Sequence, residues 1–399
     1  MASVCLYLQV HQPYRLRPDY TFFQIGRSER YEDEEANRQH LVRIAQNCYL
    51  PTAGVLYDLV KKHQGAFRLA LSFSGLVLDQ LAAWAPDALE TFQRLVATGA
   101  VEVLGETWNH SLSALFSEKE FAAEVSLHKR RIKEIFGVVP TTIRNTELIY
   151  SNAVAHLAEK AGFRAVLSEG TERALGWRSP HFVYAPADGD SMRLLMRDTK
   201  LSDDLAFRFS DPLWSERPFT PAKYAEWIRM AAEPGDTVNL FMDFETFGEH
   251  HRRDSGIFDF LWHFPDAVLA GQKMEFLTPS ETVEKYRGES RVDIREAVSW
   301  ADREKDLSAW MGNPLQDSAL QYAYSLERPV LRCHDDALLA QWRRLLASDH
   351  FYYMCHKGDA DGAVHRHFRP YASPYDAYVV YINILNDLRE RVRRRGVRV

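Results

Sequence analysis

The strongest constraint on this chain is an alternation. Short apolar runs at 3–10, 67–73, 101–105, 141–145, 163–168, 193–197, 237–243 and 274–277 are separated by longer segments of helical periodicity. That is the pattern of parallel strands joined by crossover helices. The helical patterns fall at 40–63, 76–98, 117–136, 151–161, 220–233 and 256–271. Ser117 with Glu120 three residues on predicts a capping box, and Thr220 followed by Pro221 suits a helix start. Seven or eight such strands are enough to close a barrel. After Tyr286 the strand signal fades, and 315–327, 332–347 and 375–394 read as helices of a second, C-terminal domain. The expected organisation is an α/β barrel over 1–286 and a helical domain over 287–399.

Composition narrows the function classes. With 46% hydrophobic and 26% charged residues, the chain can bury a sizeable core and does not read as disordered. A net charge of −6 argues against general affinity for nucleic acid or anionic lipid. Cys5, Cys48, Cys333 and Cys355 form no C-x-x-C pair and read as reduced thiols. The apolar Val4–Val10 run lacks a basic leader and enters His-Gln-Pro, so it reads as a first strand rather than a secretion signal. No stretch approaches the ~18 apolar residues of a membrane helix. The expectation is a cytoplasmic protein without a membrane segment. The basic tail, RERVRRRGVRV, reads as a frayed, solvated helix end.

In a parallel barrel the chemistry sits at the C-terminal ends of the strands. Here those ends are His11-Gln12-Pro13, Gly105-Glu106-Thr107-Trp108-Asn109-His110, Arg144-Asn145-Thr146-Glu147 and Asp243-Phe244-Glu245-Thr246-Phe247-Gly248-Glu249-His250-His251. Carboxylates, histidines and a tryptophan around one rim suit a pocket for a hydroxyl-rich ligand. Glycoside hydrolysis needs two carboxyl groups flanking the bond, one to attack or activate water and one to protonate the leaving oxygen. Glu147 has Arg144 three residues before it, a cation able to keep a carboxylate ionised as a nucleophile. Asp243 emerges from the apolar run NLFM, where desolvation favours the protonated acid.

At these motifs, together with Ser111 to Ser113, Leu148 to Tyr150 and the Ser299 to Asn313 block, the chain resembles glycoside hydrolase family 57. It is most similar to that family's shorter α-amylase-like members. The five blocks run in order from residue 11 to 313. The resemblance implies an incomplete parallel (β/α)7 barrel, a helical domain that helps close the cleft, and a retaining mechanism on α-1,4-linked glucans. It carries the nucleophile onto Glu147 and the general acid/base onto Asp243. It makes His11, Glu106, His110, Trp300 and Asp302 subsite residues. Trp108, Arg144, His250 and Trp310 lie in the same blocks and are further candidates for substrate contact. The implied partner is an α-glucan or maltooligosaccharide, with no cofactor and no metal. His251-Arg252-Arg253 departs from the family pattern, which often has aromatic or amide residues there.

Other readings stay open. A metal-dependent polysaccharide deacetylase would use Asp243, His250 and His251, but adjacent histidines in an extended segment point to opposite faces. A non-catalytic glucan-binding protein would keep the fold without turnover. Among enzymes, 4-α-glucanotransferase and branching activities share the same catalytic pair as hydrolysis. Trp177, Trp214, Trp227, Trp262 and Trp342 read as packing residues, and His350, His356, His365 and His367 have no partner the sequence names.

Overall fold

The computed structural model describes residues 1–189, 191–288, 290–357 and 369–399, so His365 and His367 lie outside the described residues. Its strands are β1 (Ala2–Val10), β2 (Leu69–Phe73), β3 (Val101–Val103), β4 (Thr142–Ile143), β5 (Ala165–Glu169), β6 (Ala185–Pro186), β7 (Arg193–Arg197), β8 (Thr237–Asp243), β9 (Met274–Phe276) and β10 (Arg291–Val292). Parallel pairing gives the orders β3-β2-β1-β8 and β4-β5-β7. Two contacts join these arcs into a ring. Gly105 bridges Ile143 between the ends of β3 and β4, and the Asp198 N–H donates to the Asn239 carbonyl at 2.9 Å between β7 and β8. The result is an incomplete (β/α)7 barrel. β8 lines one edge of β1 from Ser3 to Gln9, while the other edge is shared by β9 at Ala2–Val4 and β2 at Tyr7–Val10. β6 and β10 form a separate short pair, which brings the chain back against the barrel after residue 286.

Alternation along β1 sorts the core. Val4, Leu6, Leu8 and Val10 pack with the surrounding helices, whereas Cys5 and Tyr7 join an inner cluster with Leu167, Leu195 and Phe241. A further cluster built on Trp342, Phe351, Tyr381, Ile384 and Leu388 organises the C-terminal helices, and it takes in Leu16, Tyr20 and Tyr31 from the long segment after β1.

Most helix positions agree with the periodicity, and the departures have local causes. The first crossover starts at Glu34, not 40, because Asp33 caps it by accepting from the Ala36 N–H at 3.1 Å. Its charged first turn carries no apolar repeat. A π turn at Ala45–Tyr49 then interrupts it before Leu50–Lys62. The expected 76–98 helix is two, Gly75–Trp84 and Pro86–Val96, since Pro86 cannot continue the ladder. Ser117 does cap Glu118–Phe136, but the Glu120 carboxylate pairs with Arg343 instead of closing a capping box. Thr220 caps a helix with Pro221 at its first position.

The C-terminal tail corrects the expectation of a frayed end. Pro374–Arg394 is a helix whose Arg391 is buried. Arg391 donates to the Tyr31 hydroxyl at 3.2 Å and to Gln341, Arg395 pairs with Asp335, and Asp387 accepts from the Tyr31 hydroxyl at 2.6 Å. The arginines thus tie the post-β1 segment onto the helical region. Among the described residues, no helix is long and apolar enough to cross a membrane.

Candidate active site

Five strand ends converge with two segments from beyond residue 286, one carrying Trp300 and the other Ser348 and Asp349. The β3 and β4 ends are fastened by a 2.8 Å hydrogen bond between the Thr107 and Thr146 hydroxyls. Glu147 sits in a one-turn 3-10 segment with left-handed φ of 58°, and His110 has φ of 53°. Such backbone costs on the order of 1–3 kcal/mol per residue and persists only where the surroundings over-determine it. They do so here. The Asn145 amide donates to the Ile149 carbonyl at 2.9 Å, Leu148 is anchored in the inner cluster, and the Trp300 N–H donates to the Glu147 carbonyl at 3.3 Å. Buried Glu124 holds the His110 loop by accepting from the Asn109 N–H and the Ser111 hydroxyl, each at 2.6 Å.

The Glu147 carboxylate is wired on every side. His110 Nε2 donates to its Oε1 at 3.2 Å, the Ser348 hydroxyl to the same oxygen at 3.1 Å, and Trp300 Nε1 to Oε2 at 2.7 Å. Burial alone would raise its pKa, but the hydrogen bond and charge of His110, with the Arg144 charge, bring it down to about 2. His110 is charged for the reciprocal reason. Burial opposes its protonation, yet its Nδ1 faces Glu106 at 3.1 Å while Nε2 faces Glu147, and the pKa rises to about 9. The His11 ring stacks on His110 with centroids 3.8 Å apart. It bonds the Ser74 hydroxyl at 2.7 Å and Asp349 at 3.0 Å, and burial plus the neighbouring His110 cation push its pKa down.

Asp243 lives in the opposite environment. Its carboxyl has no hydrogen bond among the described residues, and burial with the Glu147 charge raises its pKa to about 6, against the opposing charges of Arg144 and His11. Two residues on, Glu245 accepts from the Tyr49 hydroxyl at 2.6 Å and the Gln12 amide at 3.3 Å. Burial and the Asp243 charge lift it to about 8, so near neutral pH it adds little negative charge beside Asp243.

Arg144 is wholly buried, its guanidinium 4.5 Å over the Trp300 ring, and none of its nitrogens has a hydrogen-bond partner among the described residues. Its packing on Trp300 places a buried positive charge that lowers the pKa of both Glu147 and Asp243.

The sequence candidates therefore divide. His11, Glu106, His110, Arg144, Glu147, Trp300 and Asp243 are brought together. Asp302, at φ of 53°, pairs with Lys357 at 2.9 Å, and half-buried His250 donates its backbone N–H to the Glu245 carbonyl at 2.8 Å. Trp108 and Trp310 depart from their expected role as sugar contacts. Trp108 is 7% exposed and packs against Gly75, where an added Cβ would come within 2.0 Å of the indole. Trp310 is 1% exposed in the helical core. Both indoles are spent on packing. Trp177 departs the other way, since it is 90% exposed on the segment after β5 instead of packed.

Ser74, Ser348, Asp349 and Glu245 complete the site and lie outside the sequence candidates. Ser74 follows β2 directly and Glu245 lies inside a strand-end block, so the strand-end rule reaches both. Ser348 and Asp349 come from the helical region, where no strand marks them.

The donors do not suit the alternative metal triad. His251 Nδ1 bonds the Ser210 hydroxyl at 2.7 Å, and Nε2 donates to the Leu205 and Ala206 carbonyls at 3.0 and 2.9 Å. Both ring nitrogens are engaged away from Asp243. Among the described residues no group of three His, Cys, Asp or Glu side chains is arranged to hold a metal ion.

Comparison with known proteins gives a consistent picture. The model of Glycosyl hydrolase family 57 matches residues 5–295. A Methanocaldococcus jannaschii protein named "Putative alpha-amylase" is 38% identical over 392 residues, covering 95% of this chain and 82% of that protein. The GH57-type branching enzyme of Pyrococcus horikoshii superposes with a TM-score of 0.67 at 14% identity, over 98% of this chain and 94% of that one. The alpha-amylase AmyC of Thermotoga maritima gives 0.62 at 13% identity, over 99% and 96%. At those identities the two structures speak to the fold.

Proposed function

Because the chain belongs to glycosyl hydrolase family 57 and is a glycosidase, we propose that it acts on α-1,4-linked glucans by double displacement, with Glu147 as nucleophile and Asp243 as general acid/base. The observation that carries this reading is the opposed setting of two neighbouring carboxyl groups, Glu147 bonded by His110, Trp300 and Ser348 and Asp243 without a hydrogen bond among the described residues, which holds the first near 2 and lifts the second to about 6. Between those values Glu147 is ionised and Asp243 can still donate a proton.

Glu147 attacks the anomeric carbon from one face while Asp243 protonates the departing glycosidic oxygen, leaving a glycosyl ester on Glu147. Asp243, now ionised, takes a proton from the incoming water or sugar hydroxyl as it displaces Glu147. The His110 cation and the Trp300 N–H steady the Glu147 carboxylate before attack and as it departs. Trp300, Ser348 and Asp349 come from beyond residue 286, which supports treating 1–286 and 287–399 as one catalytic unit.

Hydrolysis is the primary reading, supported by the 38%-identical relative's name. Transfer to a sugar acceptor would use the same two carboxyls. Product chromatography from maltoheptaose decides between them. Shortened oligosaccharides alone are expected, and products longer than the substrate would replace hydrolysis by transfer.

A further inference from the structure

The inner face of the barrel holds a buried amide that the two catalytic steps leave unused. Along β1 the side chains of Cys5 and Tyr7 join the inner cluster, and along β8 that of Phe241 does. Gln9 lies two residues beyond Tyr7 and Asp243 two beyond Phe241, so both share that face at the catalytic end of their strands. The parallel register sets them side by side, Tyr7 against Phe241 and Gln9 against Asp243. Strands so paired run about 4.8 Å apart. Gln9 is 2% exposed, and its Nε2 has no hydrogen-bond partner among the described residues. A buried amide N–H without an acceptor is costly and calls for one.

The two lateral neighbours of Gln9 are not equal. On the β2 side it pairs with Ser72, whose hydroxyl is already held by the Tyr7 hydroxyl at 2.8 Å. On the β8 side the Asp243 carboxyl has no hydrogen bond among the described residues. Arg144, His11 and Arg197 act on Asp243 through charge, against Glu147, and the Glu245 carboxyl two residues on is taken by Tyr49 and Gln12. A protonated carboxyl can stay dry in such a place. The reaction ionises it, however, because Asp243 gives its proton to the glycosidic oxygen while Glu147 becomes an ester. A buried carboxylate then remains, and it needs a donor.

We propose that Gln9 is a positioning residue for the general acid/base: its Nε2 donates to the Asp243 carboxylate formed as the leaving group departs, and so holds the other carboxylate oxygen toward the incoming water or sugar hydroxyl. Asp243 gives one proton in the first step and takes one in the second, and Gln9 transfers none. The proposal rests on the assignment of Asp243 in the functional reading.

Gln9→Met keeps the length of the side chain and deletes the donor. On α-maltosyl fluoride, whose leaving group needs little protonation, kcat reads the second step and should fall about tenfold, whereas kcat/KM reads formation of the ester and should change by less than about twofold. On maltoheptaose the falling limb of the kcat/KM profile should move to higher pH, since the lost hydrogen bond favours the ionised form of Asp243. In an Asp243→Asn background the same substitution should add no further loss. Thermal melts should be no lower than those of the wild type. Gln9→Glu, close in shape, places a second carboxylate where the donor was and should slow the second step more than Gln9→Met does. Equal losses in kcat and kcat/KM on the fluoride would make Gln9 a sugar contact and overturn the proposal, as would an unmoved limb or an undiminished loss in the Asp243→Asn background. Wild-type turnover of maltoheptaose by Asp243→Asn alone would defeat the acid/base assignment and this proposal with it. A slow Asp243→Asn beside a Gln9→Met of wild-type behaviour would defeat this proposal alone.

Discussion

The two carboxyl corners of the cleft are built from the same kind of strand end and differ in almost everything else. Glu147 is surrounded by donors from three parts of the chain, His110, Trp300 and Ser348, with the Arg144 cation close by. Among the described residues Asp243 has none, and Tyr49 and Gln12 nearby are spent on Glu245. Burial acts on both in the same direction. What separates them is whether hydrogen bonds and positive charge outweigh it, so a fold can set two carboxylates to opposite tasks by wiring one and leaving the other dry.

The comparison predicts unequal losses. Glu147→Gln removes the group that forms the covalent intermediate, so turnover of any glucan should fall by ~10⁴-fold or more. Asp243→Asn should cost less, about 10²–10⁴-fold on a natural glucan. On a glycosyl fluoride, which needs little leaving-group protonation, that variant should regain turnover with added azide and give a glycosyl azide of retained configuration. An inverted azide product would exchange the two roles.

Trp300→Phe keeps the ring under Arg144 but deletes the donor to Glu147. A charge-assisted hydrogen bond of roughly 1.5–3 kcal/mol corresponds to a loss of about 10–10²-fold in kcat/KM. Trp310→Phe, by contrast, should leave kcat/KM unchanged and lower stability by roughly 1–3 kcal/mol, read from denaturant melts. Comparable activity losses in the two variants would show that Trp310 does more than pack.

Arg144→Met probes the charge shared by the corners. In the wild type, activity should fall as pH drops through about 2, where Glu147 protonates, and as it rises through about 6, where Asp243 loses its proton. Arg144 lowers both pKa values, so removing it should move both limbs of the kcat/KM profile to higher pH. A drop in rate with unmoved limbs would reduce Arg144 to a packing residue.

The barrel was largely legible because its strands lie within short, mostly apolar runs: 193–197 and 237–243 match β7 and β8 residue for residue, whereas the two-residue β6 and β10 fall in no such run. The breaks were less so. A π turn has no signature in hydrophobic period, and the early helix start at Glu34 is set by the Asp33 cap under a polar first turn. In the site, residues just after strands could be found from order along the chain. Ser348 and Asp349 could not, because their place depends on how helices far along the chain dock against His110, whose carbonyl accepts from the Ser348 N–H at 2.9 Å. Trp108 and Trp310 show the reverse error, since membership of a motif block does not say which way an indole points.

The central claim is that Glu147 carries the sugar between the two steps. Its most direct test is mass spectrometry of peptic peptides from Asp243→Asn after a short reaction with α-maltosyl fluoride, a substrate that forms the intermediate while the missing base slows its breakdown. A maltosyl mass increment on the peptide containing Glu147 is predicted. A label on the peptide containing Glu245, or fluoride release continuing at steady state without any labelled peptide, would contradict the account.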